Sequence, residues 1–326
     1  MSARCSPLVS VLAVPQKIAV VGAGAVGGYY GAQLARAGGE VSFLLRRDLA
    51  QVRAHGLRVR QPPAGDFTLW PVRAFGTTAE IGPVDLVVIG LKATANDELR
   101  QLLPPLLGGH TTILLLQNGL GGDEFLARQF GAERVLGGLC FVCLNRTGPG
   151  EITCTLPGYL ALGKFAGAPT PRLRELAARF QAAGVKTIVT ENLAEARWLK
   201  LVWNVPFNGL AIAAGGVTTD VIMADANLRT AARALMDEIV AAAARLGYAV
   251  PPGFIQMQLD HTAVMGPYRP SSLIDWQEGR AVEVEAIWGE PLRRAQAAGI
   301  AMPRLEALYA QLRHLNAAPR NMSTNS

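Results

Sequence analysis

The chain has 326 residues, half of them hydrophobic and 17% charged, with a formal net charge of +6 and an isoelectric point near 9.4. This length suits about two domains, and the balance of apolar to charged residues excludes a disordered chain. The basic residues are scattered, without runs or interleaved aromatics, so the charge favours anionic small molecules over nucleic acid.

Residues 1–16 hold a short apolar stretch after Arg4, too short and too weakly charged for a secretion signal, and read as a disordered extension. From Lys17 to about residue 190, strand-like and helix-like segments alternate. Strands are expected at 17–21 (KIAVV), 40–45 (EVSFLL), 85–91 (DLVVIGL), 111–117 (TTILLLQ) and 134–145 (RVLGGLCFVCLN). Several are near-continuous apolar runs, as strands buried on both faces should be. Helices are expected at 26–38 and 96–107, shorter strands at 150–155, 159–164 and 186–190, and a helix at 171–184. The alternation predicts a mainly parallel sheet with helices on both faces, an α/β Rossmann-like domain over 17–190.

From residue 191 the pattern changes. The stretches 191–204, 227–247 and 271–299 have helical periodicity and little strand signal, which predicts a second, all-helical domain over 191–316. Residues 317–326 are polar and aperiodic and read as a disordered tail, with a chance N-x-S at Asn321.

No apolar run reaches the roughly 18 residues of a membrane span. Cys140 and Cys143 form a C-x-x-C within an expected strand, where positions three apart point to opposite faces. No second pair exists, and His55, His110, His261 and His314 are far apart, so no metal site is expected. Free cysteines fit a reducing, cytoplasmic location.

Gly22-Ala23-Gly24-Ala25-Val26-Gly27 fits G-x-G-x-x-G, placed between an expected strand and an expected helix. The first glycine permits the tight turn, the second lets a pyrophosphate approach the backbone, and the third lets helix and strand pack closely. The helix N-terminus then holds the phosphates. An NAD site would place an acidic residue about 20 positions on, to accept from the ribose hydroxyl. Arg46 and Arg47 stand after the second strand instead. A guanidinium binds the 2′-phosphate of NADP in a charge-assisted fork, so NADP(H) is the expected cofactor, with Arg46, nearer the strand, as its reader.

Two further signals lie at strand ends, where ligands of such sheets bind: Lys92 in VVIGLKA, and Asn118-Gly119 in LLLQNGLG. Taken singly, one is a common surface lysine and the other a common turn. In the helical part, Lys200, Asn204 and Asn208 recur at intervals of four, on one helical face, with Pro206 between the asparagines as a source of a kink. Ser272 and Glu283 stand eleven residues apart, close to three helical turns, so the two could share a face.

With these residues assembled, the chain resembles the 2-dehydropantoate 2-reductase, or ketopantoate reductase, family. The resemblance rests on GAGAVG, the arginine after the second strand, GLKA, QNGLG, WLKLVWNVPFN and SSLIDWQEGRAVEVEAI, in order from about residue 17 to 315. It implies a site in the cleft between the two domains and NADPH-dependent reduction of ketopantoate to pantoate, a step toward pantothenate and coenzyme A. It implies that Lys200 is the proton donor, with Glu283 its acidic partner. Asn118, Asn204, Asn208 and Ser272 match substrate-binding positions. Lys92 and Asn118 match residues beside the nicotinamide, and Arg46 matches the arginine at the 2′-phosphate.

A protonated lysine suits a carbonyl reduction independently, because hydride delivery leaves an alkoxide that needs a proton and positive charge nearby. The segment between Ser272 and Glu283 is one residue shorter than the family's form, which leaves Ser271 as an alternative to Ser272. Trp203, Pro206 and Trp288 could reshape the pocket. The alternatives are an NADP-dependent reductase of another small 2-oxo acid or imine, and a non-catalytic NADP-binding sensor; a sensor has no need of the proton donor. An Ala-rich helical domain could also pair two copies as a homodimer.

Overall fold

The computed structural model describes residues 16–62 and 64–317. The expected extension and tail, apart from Gln16 and Ala317, lie outside the described residues, and so does Asn321. In chain order the first part comprises β1 (Lys17–Val21), α1 (Ala25–Arg36), β2 (Glu40–Leu44), α2 (Leu49–His55), β3 (Leu57–Arg60), β4 (Phe67–Leu69), β5 (Arg73–Phe75) and α3 (Thr78–Ile81). Then follow β6 (Val84–Ile89), α4 (Leu99–Leu102), β7 (Leu107–Leu115), α5 (Gly122–Phe130), β8 (Val135–Gly148), β9 (Glu151–Lys164), α6 (Pro171–Ala182) and β10 (Thr187–Val189).

The ten strands form one sheet in the order β4-β3-β9-β8-β7-β6-β1-β2-β5, with β10 paired to β9. Among the described residues only β8–β9 and β3–β4 are antiparallel, so the sheet is mainly parallel and Rossmann-like, as expected. β1 shows why its sequence is apolar throughout. Ile18 and Val20 enter a core shared with Tyr30 and Phe180 of α1 and α6. Ala19 and Val21 enter the opposite core, with Leu99 and Leu126 of α4 and α5.

Some expectations need correction. The stretches 150–155 and 159–164 are one strand, β9, running antiparallel to β8 with irregular register. The junction is Gly158, where a Cβ would lie 1.7 Å from the carbonyl oxygen of Phe141. The helix expected over 96–107 is a 3-10 turn (Ala93–Glu98), α4, and a second 3-10 turn (Pro104–Leu106). Pro104 and Pro105 cannot donate the backbone bonds that a continuous helix requires.

The remainder is helical: α7 (Leu193–Ala213), α8 (Thr219–Ala224), α9 (Ala226–Arg245), α10 (Phe254–Ala263), α11 (Ser271–Gln277), α12 (Glu290–Ala297) and α13 (Pro303–Ala317). α7 starts at an Asn192 cap that accepts the Glu195 N–H at 3.1 Å, and it runs through Pro206 without ending. Its Trp198, Leu201, Val205 and Phe207 are buried in one core with Met236, Ile239, Trp288 and Leu305.

The 271–299 stretch is not one helix. α11 ends in a Schellman motif: the Arg280 N–H donates to Asp275 O at 2.8 Å and the Gly279 N–H to Trp276 O at 3.3 Å, with Gly279 at φ +69°. A π-helical turn, Glu285–Gly289, then leads into α12. Ser272 and Glu283 therefore do not share a helical face; the chain turns between them. Among the described residues no helix is long and apolar enough to cross a membrane, and no group of three or more His, Cys, Asp or Glu is placed to hold a metal ion.

Candidate active site

The glycine loop lies at the carboxyl end of β1, and its glycines face different constraints. At Gly22 (φ +91°) a Cβ would lie 2.4 Å from the Leu91 nitrogen, and at Gly27 a Cβ would lie 2.3 Å from the Gly22 oxygen. Both positions are closed by backbone. At Gly24, a Cβ would meet nothing within 4 Å. Gly24 is the N-cap of α1 and no side chain caps it, so the space beside the helix N-terminus, next to Ala25 and Val26, is open at Gly24. An anionic pyrophosphate fits there, taking the backbone donors and the positive end of the helix. Gly90, past β6, completes the turn: a Cβ there would lie 2.6 Å from both the Gly22 oxygen and the Gly27 Cα. Sequence reasoning passed over it, although it stands in the quoted VVIGLKA.

Arg46 follows β2 by two residues and is 57% exposed, in an ion pair with Glu98 of the 3-10 turn. Lys92 follows β6 and pairs with Asp275 of α11. The next residue, Ala93, donates its N–H to Glu283 Oε1 at 2.7 Å. Consecutive residues of the sheet half are thus tied to two carboxylates of the helical half.

Asn118 lies in the turn after β7. The turn is pinned from the helical side: the Leu120 N–H donates to Ala286 O at 2.9 Å, and a Cβ at Gly119 (φ +80°) would lie 2.3 Å from that same oxygen. Lys200 reaches across from α7, donating from Nζ to Asn118 Oδ1 at 2.9 Å and to the Cys140 carbonyl at 2.8 Å. Nζ also stands 5.0 Å from the centre of the Phe141 ring, which stacks on Tyr159.

Burial lowers the Lys200 pKa to about 8; nearby Cys140 opposes that shift, Arg197 adds to it, and Glu283 opposes it. Glu283 moves the other way. Burial raises its carboxyl, opposed by the Ala93 N–H and by Lys92, while Asp275 adds to the rise and Lys200 opposes it.

Asn204, one turn after Lys200, is buried and lines with it a cavity of about 10 Å³ that Gln117, Asn118 and Arg197 also border. Asn208, a further turn on, is buried too, and its Oδ1 accepts the Ser272 N–H at 3.0 Å. Two expected site residues therefore meet each other. Ser272 is buried and Ser271 exposed. Trp203 and Trp288 are occupied structurally, donating to Thr262 Oγ1 at 2.9 Å and Val205 O at 3.0 Å. Asp275, Arg197 and the Cys140 carbonyl were missed by sequence reasoning. Arg197 had a local signal, three residues before Lys200 on the same helix.

A glycine loop open at a helix N-terminus, together with a half-buried ammonium held by Asn118 and a carboxylate tied to the strand end at Ala93, defines the class: a two-domain, nicotinamide-dependent oxidoreductase. The chain belongs to the ketopantoate reductase PanE/ApbA family, which matches it over residues 18–167, with the C-terminal domain of that family matching 192–316. It is 43% identical to the 2-dehydropantoate 2-reductase of Nostoc sp. over 94% of this chain and 97% of the relative. The crystal structure of 2-dehydropantoate 2-reductase from Geobacter metallireducens GS-15 superposes with a TM-score of 0.89 at 46% identity, covering 91% of this chain and 99% of that one. The enzyme of the same name from Methylococcus capsulatus gives 0.85 at 36% identity, covering 92% and 96%. The family resemblance carried by the sequence motifs is thereby borne out.

Proposed function

We propose that this chain reduces the ketone of 2-dehydropantoate to the hydroxyl of pantoate with NADPH. The observation that carries the reading is the Lys200 ammonium, half-buried at the domain junction and aimed by Asn118 and the Cys140 carbonyl. When bound, the nicotinamide supplies a hydride to the ketone carbon. Lys200 then has two tasks. Its charge stabilises the oxygen as negative charge develops there, and it donates the proton that makes the hydroxyl. A pKa near 8 keeps the group largely protonated at neutral pH yet ready to release the proton.

Glu283 is assigned beside the reacting oxygen. Its raised pKa supports a carboxyl that can share a proton with the substrate hydroxyl. Asn118, Asn204, Asn208 and Ser272 supply uncharged hydrogen bonds to the hydroxyl and carboxylate of a small 2-oxo acid. Asn208 commits its carbonyl to Ser272, leaving its amide nitrogen as the donor assigned to substrate. The burial of Ser272, against the exposure of Ser271, supports Ser272 as the serine of the site.

Gly22, Gly24, Ala25, Val26 and Gly27 are assigned to the pyrophosphate, Lys92 and Asn118 to the nicotinamide end, and Arg46 to the 2′-phosphate, for which it exchanges Glu98. The boundary between the two domains is assigned at 190/191, between β10 and the Asn192 cap of α7.

NADPH consumption with a panel of 2-oxo acids tests the reading. The highest kcat/KM is expected for 2-dehydropantoate, and a clear preference for another acid, or no turnover of any, overturns it.

A further inference from the structure

Three residues before Lys200 on α7, Arg197 is 6% exposed, and the mechanism above does not use it. Its Nη1 donates to Gln117 O at 3.1 Å and to Gly119 O at 3.4 Å, the carbonyls on either side of Asn118. Its Nη2 donates to Asp123 Oδ1 at 2.9 Å, and its Nε lies in ion-pair contact with the other carboxylate oxygen. Asp123 is itself buried, in the first turn of α5 just beyond the Asn118 turn. Gly137 of β8 leaves room for both α7 side chains beside it: a Cβ there would lie 2.5 Å from Leu193 Cδ2 and 2.9 Å from Arg197 Nη2.

We infer that Arg197, paired with Asp123, is a positioning residue for the reduction: it clamps the Gln117–Gly119 backbone so that Asn118 holds the Lys200 ammonium in place. The inference rests on the reading of Lys200 as the proton donor.

The geometry suits this task better than a merely structural one. A planar fork with several donors can grip two carbonyls and a carboxylate at once, which a lysine cannot. A buried pair alone contributes little net stability, because two charges must be desolvated to form it. Here one partner extends the helix that carries Lys200, and the other opens the helix that follows Asn118. The guanidinium also places a second cation near Lys200. The charged and titratable groups facing Lys200 are Cys140 from β8, Glu283 from the segment before the π turn, and Arg197 from its own helix. Of these only Arg197 favours loss of the Lys200 proton, and Asp123 stands behind it.

The test compares an Arg197→Met/Asp123→Leu double variant, Arg197→Lys and Lys200→Ala with the unaltered full-length enzyme. The pH profiles of kcat and kcat/KM are measured per NADPH-binding-competent molecule, counted by fluorescence titration. The double variant replaces the pair by apolar groups and leaves no orphaned charge. Its kcat should fall by about 10²-fold, the scale of a 1 Å misplacement, and the basic limb should move to higher pH. Arg197→Lys keeps the charge and loses the fork, so its kcat should fall while the basic limb stays. A wild-type kcat in either folded variant, or an unmoved basic limb in the double variant, overturns the inference. A basic limb that survives Lys200→Ala refutes the donor reading instead, so the two failures are distinguishable.

Discussion

Lys200 Nζ donates to Asn118 Oδ1 at 2.9 Å, so a cation carried by a helix of one half is held by an amide at a strand end of the other. Neither residue is remarkable within its own element. The contact sets the ammonium's direction, and enclosing that contact is what lowers the lysine's pKa.

The first prediction concerns that proton. Reduction needs the ammonium, so its rate should follow the protonated fraction of Lys200. Above a pKa of about 8 that fraction declines about tenfold per pH unit, so kcat/KM for 2-dehydropantoate should bend downward above about pH 8. An unshifted lysine would hold the rate flat to about pH 10. Lys200→Ala should lower kcat by roughly 10²–10⁴ and abolish the bend. A steady-state pH profile of both enzymes checks it, and a wild-type rate in Lys200→Ala removes the residue from the donor role.

The second concerns cofactor choice. Arg46→Ala should raise KM for NADPH by about tenfold to a hundredfold and leave KM for NADH nearly unchanged, since the lost bond is charge-assisted. Glu98 now holds that guanidinium. Exposed pairs are worth about 0–1 kcal/mol, so Glu98→Gln should lower KM for NADPH by at most about fivefold. Equal effects of Arg46→Ala on the two cofactors would mean that it does not read the phosphate.

The third separates two residues in contact. Asn208 Oδ1 caps α11 from a neighbouring helix, because Pro270 at its N-cap has no acceptor side chain. Asn208→Ala should therefore cost about 1–3 kcal/mol of stability by orphaning the buried Ser272 N–H, and also raise KM for the 2-oxo acid. Ser272→Ala removes only the hydroxyl, so it should raise KM while leaving Tm close to wild type. Thermal melts beside steady-state kinetics decide. Equal Tm losses in both variants would show that Asn208 is no cap.

Much of the fold was legible because the physics was local. β1, with side chains entering two cores, must be apolar throughout, and the long strands and helices announce themselves by period. The short strands β3, β4 and β5 were missed: three or four residues, some half exposed, carry too little periodicity to stand out. The single helix expected over 271–299 failed for another reason. Amphipathic spacing continues across the break, while the stop depends on one glycine adopting a positive φ. In the site, Lys200 and Asn204 were legible as a helical row. That Asn208 would turn to Ser272, Lys92 to Asp275 and Arg46 to Glu98 was not, because partners chosen across 52 to 183 residues leave no local pattern. Arg197 sat immediately before the quoted WLKLVWNVPFN, yet its role depends on two carbonyls about 80 residues away in the chain.

The last prediction sets packing against binding within the glycine loop. Gly27 packs directly under Gly22, so Gly27→Ala should push α1 off β1 and lower Tm by several degrees, whether or not cofactor is present. Gly24 has a negative φ and open space where a Cβ would go. Gly24→Ala should therefore leave the Tm of the ligand-free protein close to wild type. If the open space is where the pyrophosphate approaches, the added methyl obstructs it. KM for NADPH should rise and the Tm increase given by saturating NADPH should shrink, because ligand stabilisation scales with the logarithm of its concentration over Kd. Melting curves with and without NADPH measure both. An unchanged NADPH-induced shift in Gly24→Ala would place the pyrophosphate elsewhere.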